Sequence, residues 1–290
     1  MSGREVSRRK IELLEKKNFS KVLHDTFDFL SEHVSVIARS LLFFAGPVVV
    51  ILGILVGLNN ATNYSVLSKT MLDNSLEPQI IRMMLFIIVI MIFSLTANII
   101  IMIIACESVI LAGRGEEAFI TVEALWQAVK RDFFLILRTF IGSFVVIVFS
   151  MIFLLIPAIY FSVVISLVPV IRMAERKSFF SALAKSMKLL AGNWWMTAVL
   201  ILVMTLIAYM AIGLLGIPNM VLGFLVMFHN VDVTLTSYRV LLILTTLISE
   251  FGLFFLIIVK VAIAIQYYSL VEKKEGRGLI KRLEEAAVSK

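Results

Sequence analysis

Apolar side chains recur at helical spacing in three short stretches, and each stretch runs directly into a long apolar segment. From Phe19 the apolar face is Phe19, Val22, Leu23, Phe27, Leu30 and Val34, with Lys21, Asp25, Asp28 and Glu32 opposite. From Val122 it is Val122, Leu125, Trp126, Val129 and Phe133, opposed by Glu123, Gln127, Lys130 and Arg131. From Phe179 it is Phe179, Phe180, Leu183, Met187, Leu190 and Trp194, opposed by Ser181, Lys185 and Lys188. This periodicity predicts amphipathic helices. Joined to membrane spans, they are expected to lie in the headgroup region with their apolar faces down.

Between these helices the chain carries almost no charge. Charge-free windows cover Ser40–Leu58, Met83–Cys106, Thr139–Ile171, Leu189–Val231 and Val240–Ser249. About 20 apolar residues cross a bilayer core, so the first two windows each predict one span. Thr139–Ile171 is too long for one span and slightly short for two. Extended to Phe133–Met173, with Arg138 and Arg172 snorkelling at its ends, it holds two spans turning at Pro157. Overall, 60% of the residues are hydrophobic and 16% charged, with a mean hydropathy of +1.01. That balance excludes a soluble domain of this length and predicts an all-α, polytopic integral membrane protein with six transmembrane helices.

Charge sidedness supports the same count. With six spans and the N-terminus in the cytoplasm, all but three of the 27 Lys and Arg residues fall on the cytoplasmic side, the exceptions being Lys69, Arg82 and Arg239. Basic residues favour cytoplasmic loops, whereas a single crossing at residues 139–171 would place basic clusters on both faces. The net charge of +7 therefore describes a basic inner surface whose nearest partner is anionic lipid headgroups, not nucleic acid. No secretory signal is expected at the charged N-terminus. The single cysteine, Cys106, excludes an internal disulfide and a thiol metal cluster.

The expected organisation is a cytoplasmic segment at residues 1–17, a membrane domain at 18–272 and a cytoplasmic tail at 273–290. Spans are expected at about 36–58, 80–112, 134–156, 158–173, 194–215 and 240–268. A polar outer loop is expected at 59–79, and its two glycosylation-like sequons, at Asn60 and Asn63, read as coincidence. The apolar piece from Gly216 to Phe228, opened by Gly216-Ile217-Pro218, is expected to be a re-entrant or outer-interface helix. A further helix is expected at Gly278–Ala287. The interval from Phe134 to Pro157 equals that from Trp195 to Pro218. With the three amphipathic helices, this suggests a pseudo-threefold repeat of helix, span and span. Gly53 and Gly57 are spaced for close helix approach.

The stretch Ile156-Pro157-Ala158-Ile159-Tyr160 resembles the Pro-Gly-Ile-Tyr hairpin signature of the glycerophosphoryl diester phosphodiesterase membrane-domain superfamily. Glu175 with Ser178, Ala182, Leu183 and Ser186, then Asn193-Trp194-Trp195, is similar to the same group. So is Tyr267-Tyr268-Ser269-Leu270-Val271-Glu272-Lys273-Lys274-Glu275-Gly276 with Gly278-Leu279, which is like the close of small bacterial members. Ala158 departs from the usual glycine. The resemblance implies a membrane domain standing alone in a bacterial inner (plasma) membrane, because the hydrolase domain of fused members has no counterpart here.

Candidate chemistry is sparse. His24 and His33 lie on or beside the first amphipathic helix and His229 on the outer side, so they are not expected to form a metal site. No Ser/His/Asp set, P-loop or phosphate cradle is present. The expectation is a protein that is not an enzyme, with no catalytic residues, metal or cofactor. Ionisable groups at membrane depth are the exceptions: Glu250, Lys260 and Glu107, with Asn98 nearby in span two. Such groups pair, face the bundle interior or line a wet cavity, and Lys260 is expected to reach Glu107. Glu175 and Ser178 are expected to cap the third amphipathic helix. Lys130, Arg131, Lys185, Lys188, Trp194 and Trp195 are the expected lipid contacts at the interface. Two functions remain open. One is a non-enzymatic scaffold or accessory subunit binding anionic lipid or other membrane proteins. The other is a transporter of a small polar or amphiphilic solute using Glu107, Glu250 and Lys260.

Overall fold

The computed structural model describes residues 15–70, 77–116, 119–152, 155–229 and 236–276. Among these the chain is helical, with no strand, and six helical stretches are long and apolar enough to cross a membrane. They are Phe19–Ala61, Ile81–Arg114, Val122–Ile152, Pro157–Glu175, Trp194–Leu225 and Thr236–Glu275. The protein is an all-α polytopic membrane protein. The expected helix at Gly278–Ala287 lies outside the described residues.

The joints differ from expectation at several points. Helix α1 (Phe19–Ser40) does not stop before the first span. It continues through a π-turn at Leu41–Ala45 into α2 (Gly46–Thr70). Gly46 N–H donates to Leu41 O there, and this wider turn takes up the ring of Pro47, which cannot donate to the carbonyl four residues back. The continuous stretch of 43 residues is about 65 Å long, twice the hydrocarbon thickness. Its charged start is therefore an unbroken extension of the first span's helix, not a separate helix. Much of the stretch expected to be a loop at 59–79 is helical, because α2 runs to Thr70 and α3 (Glu77–Arg114) begins at Glu77.

Likewise α4 (Val122–Ile152) joins the second amphipathic stretch to span three without a break. The hairpin then leads into α5 (Leu155–Ser166) and α6 (Val168–Glu175). Pro157 sits in the first turn of α5, where a missing N–H costs nothing, and Pro169 opens α6. Only α7 (Phe179–Leu190) is a separate helix. The turn Ala191-Gly192-Asn193, with Gly192 at φ +77°, parts it from α8 (Trp194–His229).

Pro218, expected to end span five, lies inside α8, so the piece expected to be re-entrant is the continuation of that helix. The Ser249 hydroxyl donates to Leu215 O at 3.3 Å, beside the Leu214 carbonyl that Pro218 leaves without its usual donor. The last crossing comprises α9 (Thr236–Glu250), a 3₁₀ turn at Phe251–Phe255 and α10 (Leu256–Glu275). In chain order an amphipathic stretch precedes each pair of spans, continuous with its span in α1–α2 and α4 and separate in α7. Pro157 and Pro218 are not equivalent, however, since one opens a helix and the other sits within one.

The core lies towards one end of the bundle. Helix α3 is buried almost all round from Ile99 to Ala112, and α10 from Val261 to Val271. They pack on each other, with α4 and α8 alongside. Gly113 permits the closest approach, since a Cβ there would lie 2.7 Å from the Tyr268 ring. At the other end α3 spreads Ile81, Met84, Leu85, Ile88, Met91 and Ile92 outward, as a lipid-facing surface does. Helices α2 and α9 run together there. Gly53 and Gly57 make the contact possible: a Cβ on either would lie 2.9 Å from the Cα of Leu247 or Ile243.

Candidate functional site

The buried end of the bundle is also the charged end. On α4 the buried stripe is Leu125, Val129, Asp132, Ile136 and Thr139, so Asp132 occupies a core position of its helix and is 1% exposed. A carboxylate there needs cations. Arg131 Nη2 meets Asp132 Oδ2 at 2.9 Å and Glu107 Oε1 on α3 at 3.0 Å. Arg176 reaches both carboxylate oxygens of Asp132. Arg176 closes α6 in the left-handed region at φ 54°, which turns its guanidinium back towards α4.

A second cluster ties α6, α7 and α10. Glu175 Oε1 accepts from Lys185 Nζ at 2.5 Å and from the Tyr267 hydroxyl at 2.7 Å, while Lys177 Nζ lies 3.0 Å from Oε2. Lys185 also meets Glu275 Oε1 at 2.7 Å. Nearby, the buried Arg172 donates to Thr139 Oγ1 at 2.6 Å and to Leu135 O at 3.1 Å. Lys17 brings the N-terminal segment to this end as well: its backbone N–H donates to Ser269 Oγ at 3.0 Å and its Nζ to Asp25 at 2.6 Å. The beginning of α1 and the end of α10 therefore share one end of the bundle.

Two sequence expectations change. Lys260 does not pair with Glu107. Lys260 is 8% exposed, and its Nζ donates to Asn98 Oδ1 at 3.3 Å, while Glu107 is taken by Arg131. Residue spacing placed both groups in the inner half of neighbouring helices, but only packing decides which side chains meet. Similarly, Glu175 does not cap α7. Ser178 holds the N-cap position without a side-chain cap bond, and Glu175 is instead the centre of the second cluster. Glu250, at the end of α9, is half-buried and makes no hydrogen bond or ion pair among the described residues.

The expected interfacial residues divide into two groups. Lys130 is exposed and lies 5.4 Å over the Trp126 ring, Lys188 is exposed, and Trp195 is 77% exposed. Arg131 and Lys185 are engaged in the ion clusters, and Trp194 stacks on Tyr160, with its Nε1 donating to Tyr160 O at 3.4 Å. These three hold helices together. Phe180, assigned to the apolar face of α7, is 77% exposed, because the buried side of that helix is Ala182, Leu183, Ser186, Leu189 and Leu190.

Against α7 opens a cleft of about 470 Å³, lined by Lys177, Ser181, Ala184, Lys185, Lys188, Leu189, Lys274 and Glu275. The α7 members recur at helical spacing, and the last two come from the end of α10. A second, apolar groove lies between α4 and α5, at Val145, Val146, Phe149, Ser150, Pro157 and Phe161. Neither is lined by Glu107, Glu250 or Lys260. His24, Asp25 and Asp28 bring potential ligand atoms within 4.8 Å, but Asp25 is held by Lys17 and His24 by Asp28 at 2.7 Å.

Asp132, Arg176 and Lys274 carry this end and were not singled out from the sequence. The signal for Asp132 was present, as a carboxylate in step with Leu125, Val129 and Ile136. Arg176 and Lys274 gave none: the carboxylate that Arg176 meets lies on another helix, and Lys274 joins the cleft only because the end of α10 packs beside α7. No family model, curated protein or solved structure matches the chain.

Proposed function

We propose that this chain is a non-enzymatic membrane scaffold or accessory subunit that engages anionic lipid, and membrane proteins held with it, through its basic end. The observation that carries this reading is the cleft lined by Lys177, Lys185, Lys188 and Lys274. Basic groups gathered at one end of a helical bundle suit an anionic headgroup layer. With the basic end inside, the protein is a multi-pass protein of a bacterial inner membrane with both termini cytoplasmic. Membership of the glycerophosphoryl diester phosphodiesterase membrane-domain superfamily belongs to the same proposal.

The test is gentle purification from native membrane, followed by mass spectrometry of retained lipids and proteins. Enrichment of anionic lipid over the bulk membrane is the expected result. A retained set matching the bulk membrane, with no partner protein, removes the proposal.

Transport is the second reading, and one observation favours it: Lys260 is buried at membrane depth with the neutral Asn98 as its acceptor. On the scaffold reading, Lys260→Met leaves the retained lipids unchanged and does not lower the unfolding midpoint, because a buried ammonium with a neutral partner contributes little net stability. A folded Lys260→Met protein that no longer moves solute across reconstituted vesicles would establish transport instead.

A further inference from the structure

We propose that the cleft between α7 and the end of α10 is a binding site for a phosphate monoester group. The inference rests on the lipid-surface reading above and names the chemistry of that surface. Four ammonium groups, from Lys177, Lys185, Lys188 and Lys274, face the cleft. Two carboxylates oppose them: Glu275 in the lining and Glu175 behind it. The surplus of two positive charges matches a phosphate monoester, which carries close to two negative charges near neutral pH. A phosphodiester headgroup carries one and would leave the cleft under-neutralised.

The lysines have separate tasks. Lys185, bridging Glu175 and Glu275 at 2.5 and 2.7 Å, fixes the floor and joins α7 to α10. Lys177 is drawn towards Glu175 at 3.0 Å. Lys188 and Lys274 are exposed and make no ion pair or hydrogen bond among the described residues. Lys188 comes from α7 and Lys274 from the end of α10, both in the lining of the cleft with Ser181, and the proposed phosphate is held between them. Lysine can fill this role, because its ammonium binds phosphate as a point charge.

The experiment uses the full chain in detergent and native mass spectrometry with three probes: dioleoyl phosphatidate, dioleoyl phosphatidylglycerol and inorganic phosphate, against a phosphatidylcholine background. Phosphatidate is expected to be retained over phosphatidylglycerol by about fivefold, the effect of one extra charge near basic groups. The double variant K188Q/K274Q is expected to lose this preference while R114Q, an exposed charge at the end of α3, keeps it. Inorganic phosphate that competes with phosphatidate in the native chain and not in K188Q/K274Q supports the same site and assigns its source to the free anion. Equal retention of the two anionic lipids, both above phosphatidylcholine, overturns the monoester site and leaves the lipid-surface reading standing. Retention of neither overturns both. A preference that survives K188Q/K274Q, or that R114Q abolishes equally, also overturns the site.

Discussion

Asp132 shows how a single residue can organise one end of the bundle. It stands on the buried stripe of α4, and two arginines from different elements close over it. Both guanidiniums are about half exposed, so solvent screens part of their attraction. Asp132→Asn should therefore lower stability by about 2 kcal/mol, less than the loss of a fully buried pair, read as a lower unfolding midpoint in detergent. Tyr267→Phe should cost about 1 kcal/mol, the net worth of its hydrogen bond to Glu175. An unchanged midpoint in Asp132→Asn would show that the arginines are held without it. Asp132 was legible as an anomaly in an apolar stripe. Its partner Arg176 was not, because nothing in local sequence states which loop returns an arginine to α4.

At the scale of elements, glycine and proline decide where helices touch and where they stop. Gly57 lies against the backbone of Ile243 and Gly53 against that of Leu247, as their spacing suggested. Gly57→Val should push α9 away and cost about 1–3 kcal/mol by overpacking. Gly213→Ala, with nothing within 4 Å of the new Cβ, should leave the unfolding midpoint unchanged or slightly raised. Equal effects of the two substitutions would mean that α2 and α9 are not in close contact. The prolines were less informative. Pro157 lies at a helix start, Pro47 is absorbed by a π-turn and Pro218 remains inside α8 beside a serine donor. The same residue type gives three outcomes because its place in the helix, the local turn and, at Pro218, a neighbouring helix decide what becomes of the missing donor.

For the whole molecule, the arrangement is a compact charged end and a more open apolar end. The contact of Lys17 with Ser269 places the two ends of the described chain together, in keeping with an even number of crossings. The orientation proposed above can be checked directly. In a Cys106→Ala background, cysteines introduced at Lys16 and at Lys274 should react with a membrane-impermeant maleimide only in inside-out vesicles. Labelling of both only in right-side-out vesicles would reverse the orientation, and opposite sidedness of the two would refute the shared end. Cys106 is the single cysteine of the sequence, so its removal leaves no native thiol to label.

Hydropathy alone determined the class of this protein and the number of helices able to cross a membrane. These properties are set by transfer of side chains between water and lipid, which each residue undergoes largely on its own. Tertiary structure decided the rest. It ran α1 and α4 straight through where interfacial helices were expected, leaving α7 alone as a separate one. It assigned Glu107 to Arg131 and Lys260 to Asn98, and it brought Lys188 and Lys274 into the lining of one cleft. Those outcomes depend on which helix faces which, and at what rotation. That is a joint property of residues far apart in the chain, and hydrophobic periodicity carries no record of it.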